Sequence, residues 1–105
     1  MTLEYSKHKN ILLQILKDIY SDVSIASCLG FKGDTATMLF YDLSRKSVDL
    51  DFDLLDETRE NDVFEKINKI VANYGKITSS YMQKSNLKNV ISYNPKAQNI
   101  KIEVN

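Results

Sequence analysis

An acidic, alternating segment in the middle of the chain most constrains how it can fold. Within residues 48–55, Asp49, Asp51 and Asp53 alternate with apolar side chains. Side chains of like parity on a β-strand point to the same face, so the three aspartates share one face and the apolar residues share the other. Three like charges on one sheet face repel one another unless a positive group lies among them. A divalent cation with oxygen ligands is the simplest such group, so the segment predicts a half-buried strand with a cation-binding face.

Length and composition bound the class of protein. The chain has 105 residues with 14 basic and 14 acidic side chains, which predicts one domain, residues 1–105, and no net charge that favours nucleic acid. Cys28 is the single cysteine and His8 the single histidine, which excludes an intramolecular disulfide, a Cys/His zinc site and a Ser-His-Asp triad. No signal region or apolar run of membrane-spanning length is present, so a cytoplasmic protein without a membrane span is predicted. We expect His8 on a helix surface and Cys28 in the core.

Apolar periodicity and turn residues predict the element order α-β-α-β-α-β-β-β. Apolar residues spaced three and four apart predict helices over residues 6–21, 34–43 and 58–74. Continuous or alternating apolar runs predict strands over residues 24–31, 47–55, 77–84, 87–94 and 100–104. Ser6 and Thr58 are the expected N-caps, Gly75 is the expected helix stop, and residues 85–86 are the expected hairpin turn.

A glycine turn precedes the acidic strand and supplies a second kind of chemistry. Gly33 lies between a predicted strand and a predicted helix, where a glycine lets the backbone approach a ligand closely. The N-terminus of such a helix can bind phosphate through its free backbone N–H groups. Thr35 adds a hydroxyl donor to this phosphate-binding site, and Lys32 adds a positive charge. A helix and a turn bring Asp49 and Asp51 back beside this glycine. A phosphate-binding site with metal-binding carboxylates is the minimal set of groups for phosphoryl or nucleotidyl transfer.

Two submotifs in this region carry a family resemblance. Residues 32–36 read Lys-Gly-Asp-Thr-Ala, and residues 43–52 read Leu-Ser-Arg-Lys-Ser-Val-Asp-Leu-Asp-Phe. Together they resemble the signature of the AbiEii-type nucleotidyltransferases, the toxins of bacterial abortive-infection and toxin–antitoxin systems, which are related to the MenT-type toxins. That signature runs Lys-Gly-Gly-Thr-Ala and then Arg-x-Ser-x-Asp-Leu-Asp-Phe. The resemblance implies an α/β (α+β) chain with the polymerase-β-like nucleotidyltransferase fold, a mixed β-sheet with flanking helices.

The same resemblance implies the chemistry. A nucleoside monophosphate would pass from an NTP to a tRNA or protein acceptor by two-metal catalysis with Mg²⁺ or Mn²⁺, and a cognate antitoxin would be a partner. The residues that match the metal-binding and catalytic positions are Asp49, Asp51 and, from the last strand, Glu103. The residues at nucleotide-binding positions are Lys32, Gly33, Asp34, Thr35, Arg45 and Ser47. For Glu103 an exposed strand charge is an equal alternative, because such alternation is common in strands.

Two departures from the family favour an alternative. Asp34 replaces the second glycine of the signature, and a carboxylate there can cap the helix and repel a triphosphate. The resulting hypothesis is weakened nucleotide binding; equal, tight Mg-NTP binding by the native chain and by Asp34→Gly in calorimetry would refute it. The chain also lacks a match to the family's C-terminal helical region. The alternative is a catalytically reduced, nucleotidyltransferase-like binding module that acts as a partner subunit or a homodimer.

Overall fold

A mixed β-sheet organises the described part of the chain. The computed structural model describes residues 3–32, 49–83, 86–95 and 99–105, with side chains from residue 7 onward. Its helices are α1 (Leu3–Ser21), α2 (Val23–Ala26) and α3 (Glu60–Val71), with a 3₁₀ turn at Glu57–Arg59 before α3. Its strands are β1 (Leu29–Lys32), β2 (Asp49–Leu54), β3 (Lys76–Gln83), β4 (Asn86–Ser92) and β5 (Ile100–Val104). The predicted α+β class, a mixed sheet with flanking helices, is confirmed.

The strand order places the last strand of the chain in the centre of the sheet. The five described strands lie in the order β1-β2-β5-β4-β3. β2 and β5 run parallel, whereas the other neighbouring pairs are antiparallel. Two further hydrogen bonds extend the central pair, from Asn105 N to the Phe52 carbonyl at 3.0 Å and from Leu54 N to the Asn105 carbonyl at 2.6 Å. The acidic strand β2 is therefore flanked by β5, which lies far from it in sequence.

One face of the sheet is sealed by α1 and α3. Along β2 and β5 buried residues alternate with partly exposed ones, because successive side chains point to opposite faces. Buried residues from strands and helices form one apolar cluster, which includes Leu12, Ile15, Ile19, Leu50, Phe52, Val63, Ile67, Val71, Ile100, Ile102 and Val104. Cys28 is buried in the same cluster, as predicted. Among the described residues no helix is long and apolar enough to cross a membrane.

The strand predicted over residues 24–31 is wrong in its first half. Residues Val23–Ala26 form the short helix α2, and the strand begins only at Leu29. Asp22 is the cause, because its carboxylate accepts hydrogen bonds from the Ser24 backbone N–H at 3.0 Å and from the Ser24 hydroxyl at 2.5 Å. This N-cap satisfies a donor that a strand would otherwise pair with a neighbour.

Helix starts also differ from the predicted ones. α1 begins at Leu3, so Ser6 lies inside the helix and not at its N-cap. Before α3, Asp56 is the capping residue: it accepts from the Thr58 backbone N–H at 3.1 Å and from the Thr58 hydroxyl at 2.6 Å. Thr58 is therefore a donor to the cap and not the cap itself. The helix predicted over residues 34–43 lies outside the described residues.

His8 is buried, contrary to the helix-surface position predicted from the sequence. Its side chain is in the core under α1, where Nδ1 lies 2.9 Å from the Tyr93 hydroxyl and the two rings meet edge-on at 5.5 Å. A polar partner offsets the cost of burying the imidazole. His8 precedes Leu12 by four residues and Ile15 by seven, which is the spacing of the apolar stripe and the feature of the sequence that indicates its burial.

The predicted β3–β4 hairpin is confirmed, and it gives Gly75 a role other than ending a helix. Gln83 pairs with Asn86, so β4 begins one residue earlier than predicted and Asn86 belongs to the strand and not to the turn expected over residues 85–86. α3 ends at Val71, and Gly75 immediately precedes β3. A Cβ added to Gly75 would lie 2.6 Å from the Ser92 carbonyl oxygen. The position needs glycine because the end of β4 passes too close for any side chain.

We expect Gly75→Ala to lower the free energy of unfolding by about 1–3 kcal/mol, since backbone must shift to admit the methyl group. Urea denaturation followed by circular dichroism measures the change. Gly30→Ala is the matched control, because a Cβ there meets its nearest neighbour at 3.7 Å, an ordinary contact. Gly30→Ala should stay within about 1 kcal/mol of the native chain. Equal effects of the two substitutions would contradict the close-approach explanation.

Candidate active site

The face of the sheet opposite the helices carries the predicted carboxylates. On β2, Leu50 and Phe52 are fully buried, while Asp49 and Asp51 are partly exposed on the other face. Both aspartates therefore point away from α1 and α3. The strand parity predicted from sequence is confirmed by this burial pattern.

Strand β5 brings Glu103 beside the aspartate pair. The parallel register of β2 and β5 aligns Asp51 with Glu103 and Asp49 with Lys101. Aligned residues on neighbouring strands share a sheet face, so the three carboxylates occupy adjacent positions of one surface. The structure thus unites the residues predicted for metal binding, although their role in catalysis stays a prediction.

Two lysines form ion pairs on this face. Lys101 Nζ lies 3.5 Å from Asp49 Oδ2 and 3.7 Å from Glu103 Oε1. Lys32 Nζ, at the end of β1, lies 2.6 Å from Asp53 Oδ1. The Lys32 ammonium is therefore engaged with the aspartate that the sequence motif leaves outside the predicted metal pair. Lys32 is also the register partner of Asp51, which keeps it at the margin of the carboxylate cluster.

Negatively charged side chains lie close together on this face of the sheet. Partial burial, reinforced by the nearby Asp49 and Glu103 carboxylates, raises the pKa of Asp51 above its usual range. The Asp49 carboxylate, helped by Glu103, raises the pKa of Lys101 in turn, so its ammonium form is stabilised. A cation is favoured at this point of the sheet.

The carboxylates suit a divalent cation in donor type. Asp49, Asp51 and Glu103 offer the oxygen ligands that Mg²⁺ and Mn²⁺ prefer. Within the described ranges, no three Asp, Glu, His or Cys side chains converge closely enough to hold a metal ion as they stand. The donors therefore fit the metal in chemistry and in strand placement, and their side chains must turn toward one another to bind it.

The remaining predicted site residues lie outside the described part of the chain. These are the nucleotide-binding candidates Gly33, Asp34, Thr35, Arg45 and Ser47. Lys32 is the described nucleotide-binding candidate. It lies on β1, and β2 separates it from β5. The phosphate-binding site at this helix N-terminus, and the effect of Asp34 on it, stay predictions.

Sequence reasoning missed two features of this face. Lys101 has the same strand parity as Glu103, which was the available signal that it shares the carboxylate face. Lys88 is the register partner of Glu103 on β4, and Tyr81 is the register partner of Lys88 on β3. The Lys88 ammonium lies 5.9 Å from the centre of the Tyr81 ring. Tyr81 is 45% exposed.

Comparisons with known proteins show a family and a fold. The family model for the nucleotidyl transferase AbiEii toxin of a type IV toxin–antitoxin system matches residues 14–104. A candidate nucleotidyltransferase from H. pylori has a similar structure, with a TM-score of 0.67 and 22% identity over 99% of this chain and 46% of that one. JHP933 from Helicobacter pylori is similar with a TM-score of 0.63 and 22% identity, over 99% of this chain and 44% of that one. This chain spans less than half the length of either protein. No curated protein sequence matches it significantly.

Proposed function

Because the chain belongs to the AbiEii nucleotidyltransferase toxin family, we propose that it transfers a nucleoside monophosphate from an NTP to an acceptor, as the toxin of a toxin–antitoxin system. The observation that carries the proposal is the β2–β5 register, which aligns Glu103 with Asp51 two residues from Asp49. Three carboxylates on the open face of a sheet form an acidic cluster of the kind that two-metal transferases use. A cognate antitoxin and a cytoplasmic location are part of the same proposal.

The three carboxylates have two kinds of role in the proposed reaction. Asp49 and Asp51 would hold Mg²⁺ or Mn²⁺, and Glu103 would complete the ligand set or accept the proton of the attacking hydroxyl. When bound, the metal neutralises triphosphate charge and lowers the pKa of that hydroxyl. Lys32 would hold the nucleotide together with five residues outside the described part of the chain: Gly33, Asp34, Thr35, Arg45 and Ser47.

Exposed groups beside Glu103 favour RNA over protein as the acceptor. Tyr81 and Lys88 continue the row of side chains that starts at Asp51 and Glu103, and they lie on the same face of the sheet. An exposed aromatic ring stacks on a base, and a neighbouring ammonium binds phosphate, which together suit a single-stranded RNA end.

We expect Tyr81→Ala to reduce transfer to RNA by about 5- to 160-fold at low RNA concentration, the range that corresponds to about 1–3 kcal/mol of base stacking. The loss should lie in KM for RNA, because Tyr81 does not contact the reacting atoms. Met82→Ala is the matched control: Met82 is the next residue on β3, is 38% exposed and points to the opposite face. Equal losses in both variants, or unchanged KM in Tyr81→Ala, would contradict a role for Tyr81 in RNA binding.

Label transfer tests the proposed activity directly. The chain is incubated with each labelled NTP, Mg²⁺ or Mn²⁺, and total cellular RNA and protein, with Asp49→Ala/Asp51→Ala as the control. We expect label in RNA with the native chain and none with the double variant. Label that persists in the double variant would refute the assigned site, and no transfer with any NTP would refute the activity.

The second candidate function is a binding module derived from this family. It is favoured by Asp34, which puts a carboxylate where the family signature has a glycine. In this case the chain would act as a partner subunit of an active enzyme or as a homodimer. Absence of transfer together with stable self-association in sedimentation, or with capture of a full-length family member, would support it.

A further inference from the structure

A lysine occupies the centre of the predicted metal-binding face. Lys101 projects from β5 on the same side as Glu103, and its ammonium lies 3.5 Å from Asp49 Oδ2 and 3.7 Å from Glu103 Oε1. These two carboxylates belong to different strands, so Lys101 joins β2 to β5 across the site. The three side chains are about one-third exposed, at 35%, 30% and 30% for Lys101, Asp49 and Glu103. The contact is therefore neither a fully solvated surface pair nor a sealed core pair.

Two other described lysines of this face have different neighbours. Lys32 is paired with Asp53 at 2.6 Å. The Lys88 ammonium lies near the Tyr81 ring, 5.9 Å from its centre. Lys101 reaches two of the three carboxylates that a metal would need, and it approaches the same oxygen atoms. An ammonium and a divalent cation repel each other and compete for those oxygens.

We propose that Lys101 is a positioning residue, a built-in counter-cation that holds Asp49 and Glu103 in the metal-free protein and must leave for a divalent cation to bind. This inference rests on the proposed function, because it takes the three carboxylates as the metal ligands. The four-carbon stem of lysine is flexible and its ammonium is strongly hydrated, so Lys101 can move out to solvent without a change in the backbone. Competition between the Lys101 ammonium and a divalent cation explains why the described carboxylates, although they offer oxygen ligands, do not converge on one point.

Manganese binding to the protein alone tests the proposal without any need for activity. Mn²⁺ is titrated into native protein, Lys101→Met and Lys88→Met, and free Mn²⁺ is measured by electron paramagnetic resonance. Methionine keeps most of the length of the side chain and removes the charge. We expect Lys101→Met to bind Mn²⁺ about tenfold more tightly than the native chain, equivalent to about 1.4 kcal/mol. Lys88→Met removes one positive charge from the same face and should stay within about twofold of native affinity.

A second measurement separates competition from a general effect on folding. In the absence of metal, Lys101→Met should unfold at a lower temperature than the native protein, because Asp49 and Glu103 then repel each other without the ammonium between them. Saturating Mn²⁺ should raise its unfolding temperature by more than that of the native chain. Lys101→Gln, a polar and uncharged replacement, repeats both measurements if the methionine variant does not fold.

The outcomes that overturn the proposal are specific. They are unchanged or weaker Mn²⁺ binding by the Lys101 variants, equal tightening in Lys88→Met, and no Mn²⁺ binding by any variant. Absence of label transfer with tightened Mn²⁺ binding would refute the proposed function and leave the role of Lys101 intact. Label transfer without tightened Mn²⁺ binding would support the proposed function and refute the role of Lys101.

Discussion

Replacing Asp49 and Asp51 together with asparagine is expected to lower nucleotide transfer by at least about 1,000-fold, equivalent to about 4 kcal/mol of transition-state stabilisation. The physical reason is that asparagine keeps the shape of the side chain but removes the negative charge that would hold the metal, which supplies several kcal/mol in such reactions. The measurement is the initial rate of label transfer at saturating NTP, compared with that of the native chain.

Asp53→Asn is the matched control for this prediction. Asp53 lies on the same strand and has the same parity, but it is exposed and pairs with Lys32. Its loss should change the rate by less than about fivefold, because an exposed ion pair contributes only about 0–1 kcal/mol. Comparable losses in the Asp53 variant and in the double variant would show that the charge of the strand matters, and not the predicted pair. Circular dichroism confirms that each variant is folded.

Phe52→Ala is expected to lower the free energy of unfolding by about 3–5 kcal/mol. Phe52 is fully buried under the carboxylate strand, with its ring 5.4 Å from that of Phe31 and 6.1 Å from that of Tyr20. The truncation would leave a cavity between β2 and the neighbouring elements, and the surrounding backbone is held by sheet hydrogen bonds. Urea denaturation measures the loss, which is a large part of the stability of a small domain.

Two further substitutions make the Phe52 prediction quantitative. Phe52→Leu retains most of the apolar volume and should cost less than the alanine variant, so it can be measured if Phe52→Ala does not fold. Leu55→Ala is the surface control, because Leu55 follows β2 and is 64% exposed. Its effect should stay within about 0.5 kcal/mol. A loss below about 1 kcal/mol in Phe52→Ala would mean that β2 does not depend on this core contact.

Elements with strong local patterns were predicted well from the sequence. The apolar stripe of α1, the alternation of β2 and β5, and the β3–β4 hairpin all appear, with shifts at their ends. The errors arose where a side chain acts locally against a weak pattern. Asp22 caps a short helix where a continuous apolar run suggested a strand, and Asp56 takes the capping role expected of Thr58. His8 was predicted on the helix surface, although its spacing follows the buried stripe.

The sequence by itself determined that Asp49 and Asp51 share one face of a strand and that the apolar residues between them are buried. That follows from the two-residue period of a β-strand, a local property of the backbone. Only the tertiary structure decided that β5 pairs in parallel with β2, which aligns Glu103 with Asp51 and Lys101 with Asp49. Strand order and register depend on contacts between residues about fifty positions apart, and no local pattern specifies them. The acidic strand is therefore predictable from the sequence, which left Glu103 with two equal alternatives. The position of Glu103 beside Asp51, and of Lys101 between Asp49 and Glu103, follows from the arrangement of the sheet.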